Sequence, residues 1–373
     1  MGQQGSEPQV TLHPRWASAA DNQALIELAR ACPMQGAIDL YFDRSPDFFQ
    51  LSALQGNGAR VCVIEDVQPG LLAACAAVAD YPRIYLNGEP RAARYACDLR
   101  IRPNRRRGLL LKRLYDFLTA DSTASESDLG FTTIMAGNQA MAPVLAGRGG
   151  LVKYIHVATM RNYAVQLLMP KRESREVQVQ RATRADLPEM VQFWNRIQAG
   201  KQFAPVWDEA GVKHQLEHTP GLDIGCYRLA RRGGRLVGLC VAWNQSPFKR
   251  MIVLGYAPRL QRMQAWYNPL APFIGRAQFP LRGRSLSYFY TTHLCAESAA
   301  DLRALLVNIY NAHLSPGYLF TSIMIDVKDP LSAALKGFMS NHFDIELYAM
   351  DPDGQWKDFP FGARPAYFDP AMV

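Results

Sequence analysis

The chain has 373 residues, of which 49% are hydrophobic and 20% charged, and its formal net charge is +8. That composition excludes extensive disorder, the length is about twice that of a usual domain, and the positive balance favours anionic ligands such as cofactor phosphates, acidic substrates or nucleic acid. No apolar run reaches membrane-spanning length, the first twenty residues are too polar for a signal peptide, and the 7 scattered cysteines lack CxxC spacing, so a reducing, cytoplasmic setting is expected, with neither disulfides nor a zinc site.

In chain order, the leader Met1-Gly2-Gln3-Gln4-Gly5-Ser6 fits a myristoylation pattern that many disordered N-termini share. A short strand is expected within Val10 to Arg15. Ser18-Ala19-Ala20-Asp21 has capping-box spacing ahead of Leu25, Ile26 and Leu28, so a helix should start near Ser18. Arg60 to Glu65 and Leu71 to Ala79 read as a hairpin around Gln68-Pro69-Gly70.

Tyr95 to Arg102 reads as a strand that Pro103 ends, because proline has no N–H for a ladder. Leu110, Leu111, Leu114, Tyr115 and Leu118 then recur at helical spacing. The connecting loop, Asn104 to Gly108, holds three consecutive arginines. It is either a solvated basic turn or a phosphate site, since a helix N-terminus offers unpaired N–H groups and partial positive charge.

The same order recurs further on. Val177 to Arg181, then Thr183-Arg184-Ala185-Asp186 and Leu187, Met190, Val191 and Phe193, repeat the strand, cap and helix. Cys226 to Ala230 and Leu236 to Trp243 repeat the hairpin around Arg231-Arg232-Gly233-Gly234. Phe131-Thr132-Thr133-Ile134-Met135 reappears as Phe320-Thr321-Ser322-Ile323-Met324, at a wider spacing that implies an insertion in the second copy. These matches predict a duplicated α+β domain with a mixed, mostly antiparallel sheet. Residues 1–170 form the first domain, the charged Pro170 to Glu176 the linker, 177–350 the second domain, and 351–373 a proline- and aromatic-rich tail. The tail should lie extended, as packing or as a lid.

Arg105-Arg106-Arg107-Gly108-Leu109-Leu110, preceded by Leu99-Arg100-Ile101-Arg102-Pro103, resembles the acyl-CoA motif of the GNAT superfamily of acyltransferases, Arg/Gln-x-x-Gly-x-Gly/Ala. Leu110 stands where that family prefers Gly or Ala, and the proline sits one residue closer to the first arginine than in many members. The resemblance implies two tandem GNAT-like domains. It implies an acyl-CoA cosubstrate, acetyl-CoA, held by Leu99, Arg100, Ile101, Arg105, Arg106, Arg107, Gly108, Leu109, Leu110 and Asn138.

It further implies N-acetyl transfer to a primary amine of a small molecule or peptide, by direct attack on the thioester. Asp98 is the candidate proton acceptor acting through water, and equally reads as a carboxylate paired with Arg100 or Arg94. Asn138 reads as a cofactor contact or a helix cap. The position at which GNAT members place a tyrosine acid holds Leu145, which opens the alternative of a catalytically silent CoA-binding module.

In the second copy the strand is expected over Leu286 to His293 and the loop over Leu294-Cys295-Ala296-Glu297. Ser298-Ala299-Ala300-Asp301 caps the next helix, and with neither glycine nor arginine in the loop this copy should not bind CoA. His214 and His218, four apart, are solvated helix residues or metal ligands; no metal is expected. Nor is a nucleic-acid partner, since Arg100 to Arg113 carries no interleaved aromatics, or a membrane partner, since no apolar run reaches spanning length.

Overall fold

The computed structural model describes residues 13–106, 109–122, 129–147 and 151–373. The leader pattern, and Arg107 and Gly108 of the loop motif, lie outside the described residues. The first half contains β1 (Pro14–Trp16), α1 (Asn22–Ala31), β2 (Ile38–Asp43), α2 (Phe49–Leu54), β3 (Arg60–Glu65), β4 (Leu72–Leu86), β5 (Glu89–Ile101), α3 (Leu110–Ser122), β6 (Leu129–Met135), α4 (Ala142–Leu145) and β7 (Lys153–Gln166). The second contains β8 (Gln178–Arg181), α5 (Leu187–Gln198), α6 (Glu209–His218), β9 (Tyr227–Arg232), β10 (Arg235–Trp243), β11 (Arg250–Tyr256), α7 (Pro258–Leu270), β12 (Tyr288–Ala296), α8 (Ala299–Ala312), β13 (Phe320–Asp326) and β14 (Ser340–Asp351).

The helix starts follow the expected capping chemistry. The Ser18 N–H donates to Asp21 Oδ2 at 2.7 Å, and the Thr183 N–H to Asp186 Oδ2 at 2.8 Å, each ahead of a short 3₁₀ turn that leads into α1 or α5. In α8 the Ser298 Oγ accepts from the Asp301 N–H. The apolar stripe of α3 buries Leu110 and Leu114 against Ile64, Ala73 and Ala74 of β3 and β4.

The fold is α+β, with one 12-stranded sheet in the order β1-β3-β4-β5-β6-β14-β7-β13-β12-β10-β9-β8 flanked by helices. Only β5 with β6 and β12 with β13 pair in parallel; the other neighbours are antiparallel. The last strand of the chain, β14, lies between β6 and β7, while β7 pairs on its other side with β13. Each half therefore contributes a strand to the other's part of the sheet. The tail adds to this junction: Phe368 packs on Tyr95 and Phe131 of the first half, and Tyr367 on Trp194 of the second.

Three sequence readings change. β5 starts at Glu89 rather than Tyr95. β12 runs on to Ala296, so Leu294 to Ala296 is strand and not loop; an irregular backbone at His293 interrupts the alternation on which strand reading depends. The matched pentapeptides fall on β6 and β13, but the ladders place Leu129 opposite Ala93 and Phe320 opposite Tyr288, so Phe131 and Phe320 are not in equivalent rungs relative to those strands. The insertion expected in the second copy is β11 and α7, where the first half has only the Asn87-Gly88 turn. β11 leaves the main sheet and pairs with β2.

Since β14 bridges two first-half strands, the halves should unfold together. Differential scanning calorimetry should show one transition. Leu347→Ala, at a fully buried β14 position, should lower stability by about 2 to 5 kcal/mol and shift that single transition, rather than splitting off one of two.

Candidate active site

The site is built on a β-bulge. Along β5 the register passes from Ala77↔Cys97 to Cys75↔Arg100, so Asp98 and Leu99 together oppose Ala76. Asp98 sits at φ 51°, a left-handed conformation that is costly for a non-glycine residue and is held by the surrounding ladder. β12 repeats the device: between Val241↔Thr292 and Leu239↔Cys295 lie His293 and Leu294 opposite Cys240, with His293 also at φ 51°. Each bulge follows the short parallel ladder, which spans Ala93 to Ala96 in β5 and Tyr288 to Tyr290 in β12. Past these rungs the neighbouring strands part, and a wedge opens at their carboxyl ends, a usual place for ligands in parallel sheet.

In the first half this wedge is open. Thr132 Oγ1 donates to the Ala96 carbonyl at 2.7 Å at its apex. Beyond it Cys97, Ile101 and Ile134 are half-exposed, and Leu99 and Met135 exposed. At its mouth Arg102 is anchored by its N–H to the Ala73 carbonyl (2.9 Å) and by its Nε to the Leu72 carbonyl (3.0 Å), while its Nη2 is buried without a partner.

Arg105 is committed to Asp66, at 3.1 and 2.6 Å, whereas Arg106 and Leu109 are exposed. Leu110 points into the core under α3, away from the loop surface. Among the described residues the first bond into α3 runs from the Arg113 N–H to the Leu109 carbonyl, and the opening turn of a helix has N–H groups without intrahelical partners. An unpartnered buried guanidinium nitrogen beside a helix N-terminus fits a pyrophosphate. Asn138, in the turn after β6, is exposed and makes no side-chain capping bond. α4 has the sequence Ala-Pro-Val-Leu and so offers no ionisable group.

In the second half the same wedge is closed down to a small cavity lined by Leu294, Met324, Asp326, Lys201 and Ala366. All nine residues of β12 are buried. Gln198 Nε2 donates to the Leu294 carbonyl at 2.9 Å; among the described residues no side chain does so at Leu99. The Ala366 N–H of the tail donates to Asp326 Oδ2 at 2.7 Å, and Lys201 pairs with Asp329 at 2.7 Å. The bulge residue His293 contacts the Tyr227 hydroxyl through Nδ1 (2.7 Å) and Asp369 through Nε2 (3.3 Å). Burial alone would raise the Asp369 carboxyl, but His293 and Thr292 hold it below its ordinary value.

Asp98 faces two guanidinium groups. Arg44 Nη1 lies 3.1 Å from its Oδ2, and Arg100 bonds its Oδ1. Burial would raise this carboxyl, yet the charges of Arg100 and Arg44 hold it well below the usual carboxylate range. Arg94, the other partner suggested by sequence, pairs instead with Asp80 and Asp121. Arg44 was not legible in the sequence, because β2 brings it to Asp98 across 54 positions. Lys249, at the start of β11, was missed for the same reason. Its ammonium donates to the Ala371 carbonyl (3.3 Å) and the Val373 carbonyl (2.5 Å), and faces the rings of Phe42 and Tyr290. Burial, reinforced by the charge of Arg44, pushes its pKa down to about 7.

Away from this region His214 and His218 stack at 4.1 Å, with His218 Nδ1 against the His214 carbonyl. Among the described residues no cluster of three metal-ligating side chains forms.

Solved structures with this architecture are acyltransferases by description. The chain is similar to Saccharomyces cerevisiae N-myristoyltransferase with bound myristoyl-CoA, at 11% identity and TM-score 0.62, over 98% of this chain and 87% of that one. It is similar to a GCN5-related N-acetyltransferase from Sphaerobacter thermophilus, at 12% identity and TM-score 0.57, over 96% and 98%. A conserved protein of Enterococcus faecalis described as a probable N-acyltransferase aligns at 9% identity and TM-score 0.51, over 93% and 74%. No family model and no curated protein matches the chain by sequence. The chain thus has the fold shared by GNAT-type N-acetyltransferases and N-myristoyltransferases, over nearly its whole length.

Lys249 gives a pH signature. A lysine neutralised by folding binds fewer protons in the native than in the unfolded state between pH 7 and its ordinary value. Its destabilising effect is complete below pH 7 and fades as pH rises towards 10. Lys249→Met should therefore gain stability over the parent at pH 6, by on the order of 2 kcal/mol, and that gain should shrink steadily by pH 9.5. Chemical denaturation at both pH values checks this.

Proposed function

We propose that the chain is an acyl-CoA-dependent N-acyltransferase whose first half holds the acyl donor, with acetyl-CoA as the donor and a primary amine of a small molecule or peptide as the acceptor. One observation supports the reading: the same bulge occurs twice, and among the described residues Leu99 and Met135 are exposed beside the first, where Arg102 keeps an unpartnered nitrogen, whereas all of β12 is buried at the second. The thioester supplies an activated acyl carbon. The neutral amine nitrogen bonds to that carbon as the carbon–sulfur bond breaks; the proton the nitrogen sheds passes to water, and the leaving thiolate takes one up to end as the CoA thiol.

The chain's part is positional and electrostatic. Arg102 and the first turn of α3 hold the pyrophosphate, and the exposed Arg106 adds charge at the mouth. The bulge frees backbone groups at Leu99 that can donate to the carbonyl oxygen as negative charge develops there. Residues Arg100, Ile101 and Leu110 support this loop from beneath, while Asn138 borders the wedge on the β6 side. Arg107 and Gly108 belong to the same motif by sequence.

The surroundings of Asp98 favour a positioning role over that of proton acceptor, because a carboxylate between two guanidinium groups has little affinity for a proton at neutral pH. It ties the bulge to Arg44 and Arg100. Asp98→Asn should lower kcat at least tenfold, yet leave the acid limb of the pH–rate profile in place; disappearance of that limb would restore Asp98 as the base.

Calorimetric titration with acetyl-CoA and with myristoyl-CoA should show one site per chain. Arg102→Ala should weaken it by roughly tenfold to a hundredfold, as expected for loss of a charge-assisted phosphate contact. No binding, or two equivalent sites, would overturn the assignment. The absence of an ionisable group from α4 favours, as the second reading, a module that binds CoA without turnover. Binding without thiol release across an amine panel would establish that module instead.

A further inference from the structure

The inserted segment leaves an apolar surface uncovered. On α7, Met263, Trp266 and Leu270 share one face at helical spacing, and Phe273 and Ile274 continue it into the following turn, with Leu281 on the return. Trp266 is 80% exposed and Phe273 89%, so both rings stand proud of the surface. They do not line a groove. This exposure is not a fraying helix, because the opposite face is fastened. Asn268 exchanges two hydrogen bonds with Phe279, both at 2.8 Å, Gln264 Nε2 donates to the Pro280 carbonyl at 2.9 Å, and the Tyr256 hydroxyl donates to that carbonyl at 2.8 Å.

The charge around the patch has one sign. Arg259, Arg262, Arg276, Arg282 and Arg284 fall within the segment, and the sequence has no Asp or Glu between Asp223 and Glu297. Arg259 and Arg262 occupy the same side of α7 as the apolar stripe, one turn before Met263 and Trp266. Among the described residues none of these five forms an ion pair; their recorded partners are backbone carbonyls, as for Arg276 with Leu168.

We propose that α7 and the turn after it dock on the surface of an anionic lipid bilayer, with Trp266 and Phe273 entering the headgroup boundary and the arginines meeting lipid phosphates. A protruding aromatic pair and an aliphatic stripe, rimmed by unpaired arginines on a rigid mount, match the requirements of an interfacial helix. A groove-binding peptide would need concavity, and an acidic protein partner would leave nearly fully exposed rings without a pocket to fill. The docking is peripheral, since among the described residues no helix is long and apolar enough to cross a membrane. The sequence predicts no membrane partner because it holds no continuous apolar run of spanning length, whereas this surface is a stripe interleaved with polar residues.

The test is co-sedimentation of the full chain with vesicles of phosphatidylcholine alone, and with about one-third phosphatidylglycerol. The parent should bind the anionic vesicles, weakly bind or ignore the neutral ones, and be released by raised salt. Trp266→Ser/Phe273→Ser should lose binding at least tenfold. Arg259→Gln/Arg262→Gln should lose it roughly twenty-five-fold, at about fivefold per basic residue. Because these side chains are exposed, both variants should melt with the parent, and a matched melting curve confirms that they are folded. Three results would overturn the proposal: no binding to anionic vesicles, equal binding by parent and variants, or a concentration-dependent dimer that Trp266→Ser/Phe273→Ser dissociates, which would assign the patch to a second copy of the chain.

Discussion

The separation of two parallel strands just past a β-bulge is the constraint on which the candidate site rests. Parallel pairing needs matched backbone geometry on both strands, and an extra residue on β5 breaks that match immediately after the parallel rungs end. Asp98, held left-handed, has its charge met by Arg44 from β2 and Arg100 from β5 itself. The ion pairs and the strained backbone are thus parts of one arrangement. The carboxylate makes the conformation affordable, and the conformation keeps Leu99 off the β4 ladder.

Comparison of the two bulges shows why equal backbones carry unequal chemistry. In the second half a histidine takes the place of Asp98, and its two ring nitrogens reach inward to Tyr227 and Asp369 rather than to cations. A glutamine amide from α5 then meets the Leu294 carbonyl, and the tail lies across β13 through Asp326. Each contact satisfies a backbone or side-chain group that an open wedge would leave for a ligand. The bulge and its parallel ladder recur in both halves, and in the second the space beside them is used for packing the halves together.

Much of this architecture was legible because it is local. Capping boxes at Ser18 and Thr183, the side-chain cap at Ser298, the two hairpins and the apolar stripe of α3 depend on residues a few positions apart, and their physics is decided within one turn. The loop arginines were legible as a cluster, but not the division of labour among them, since Asp66 claims Arg105 while Arg102 keeps a free nitrogen. Bulges escape a reading based on alternation, and the one in β12 turned three strand residues into an apparent loop. The exchange of β7 and β14 was beyond reach for a different reason: antiparallel partners of either half offer similar edges, and only the assembled sheet selects among them. Arg44 and Lys249 reach the site through such long-range pairings.

The insertion of β11 and α7 shows how an asymmetric addition can act on a symmetric frame. β11 pairs with β2, the strand that delivers Arg44 to Asp98, and Arg250 on β11 holds both Asp43 and Ser45 on either side of that arginine. Lys249, one residue earlier, lies against Phe42 and the tail carbonyls. α7 thus follows directly on a two-stranded ribbon whose other strand precedes Arg44. The wedge of the second half is buried, and through this ribbon the second half contributes contacts to the residues on either side of Arg44.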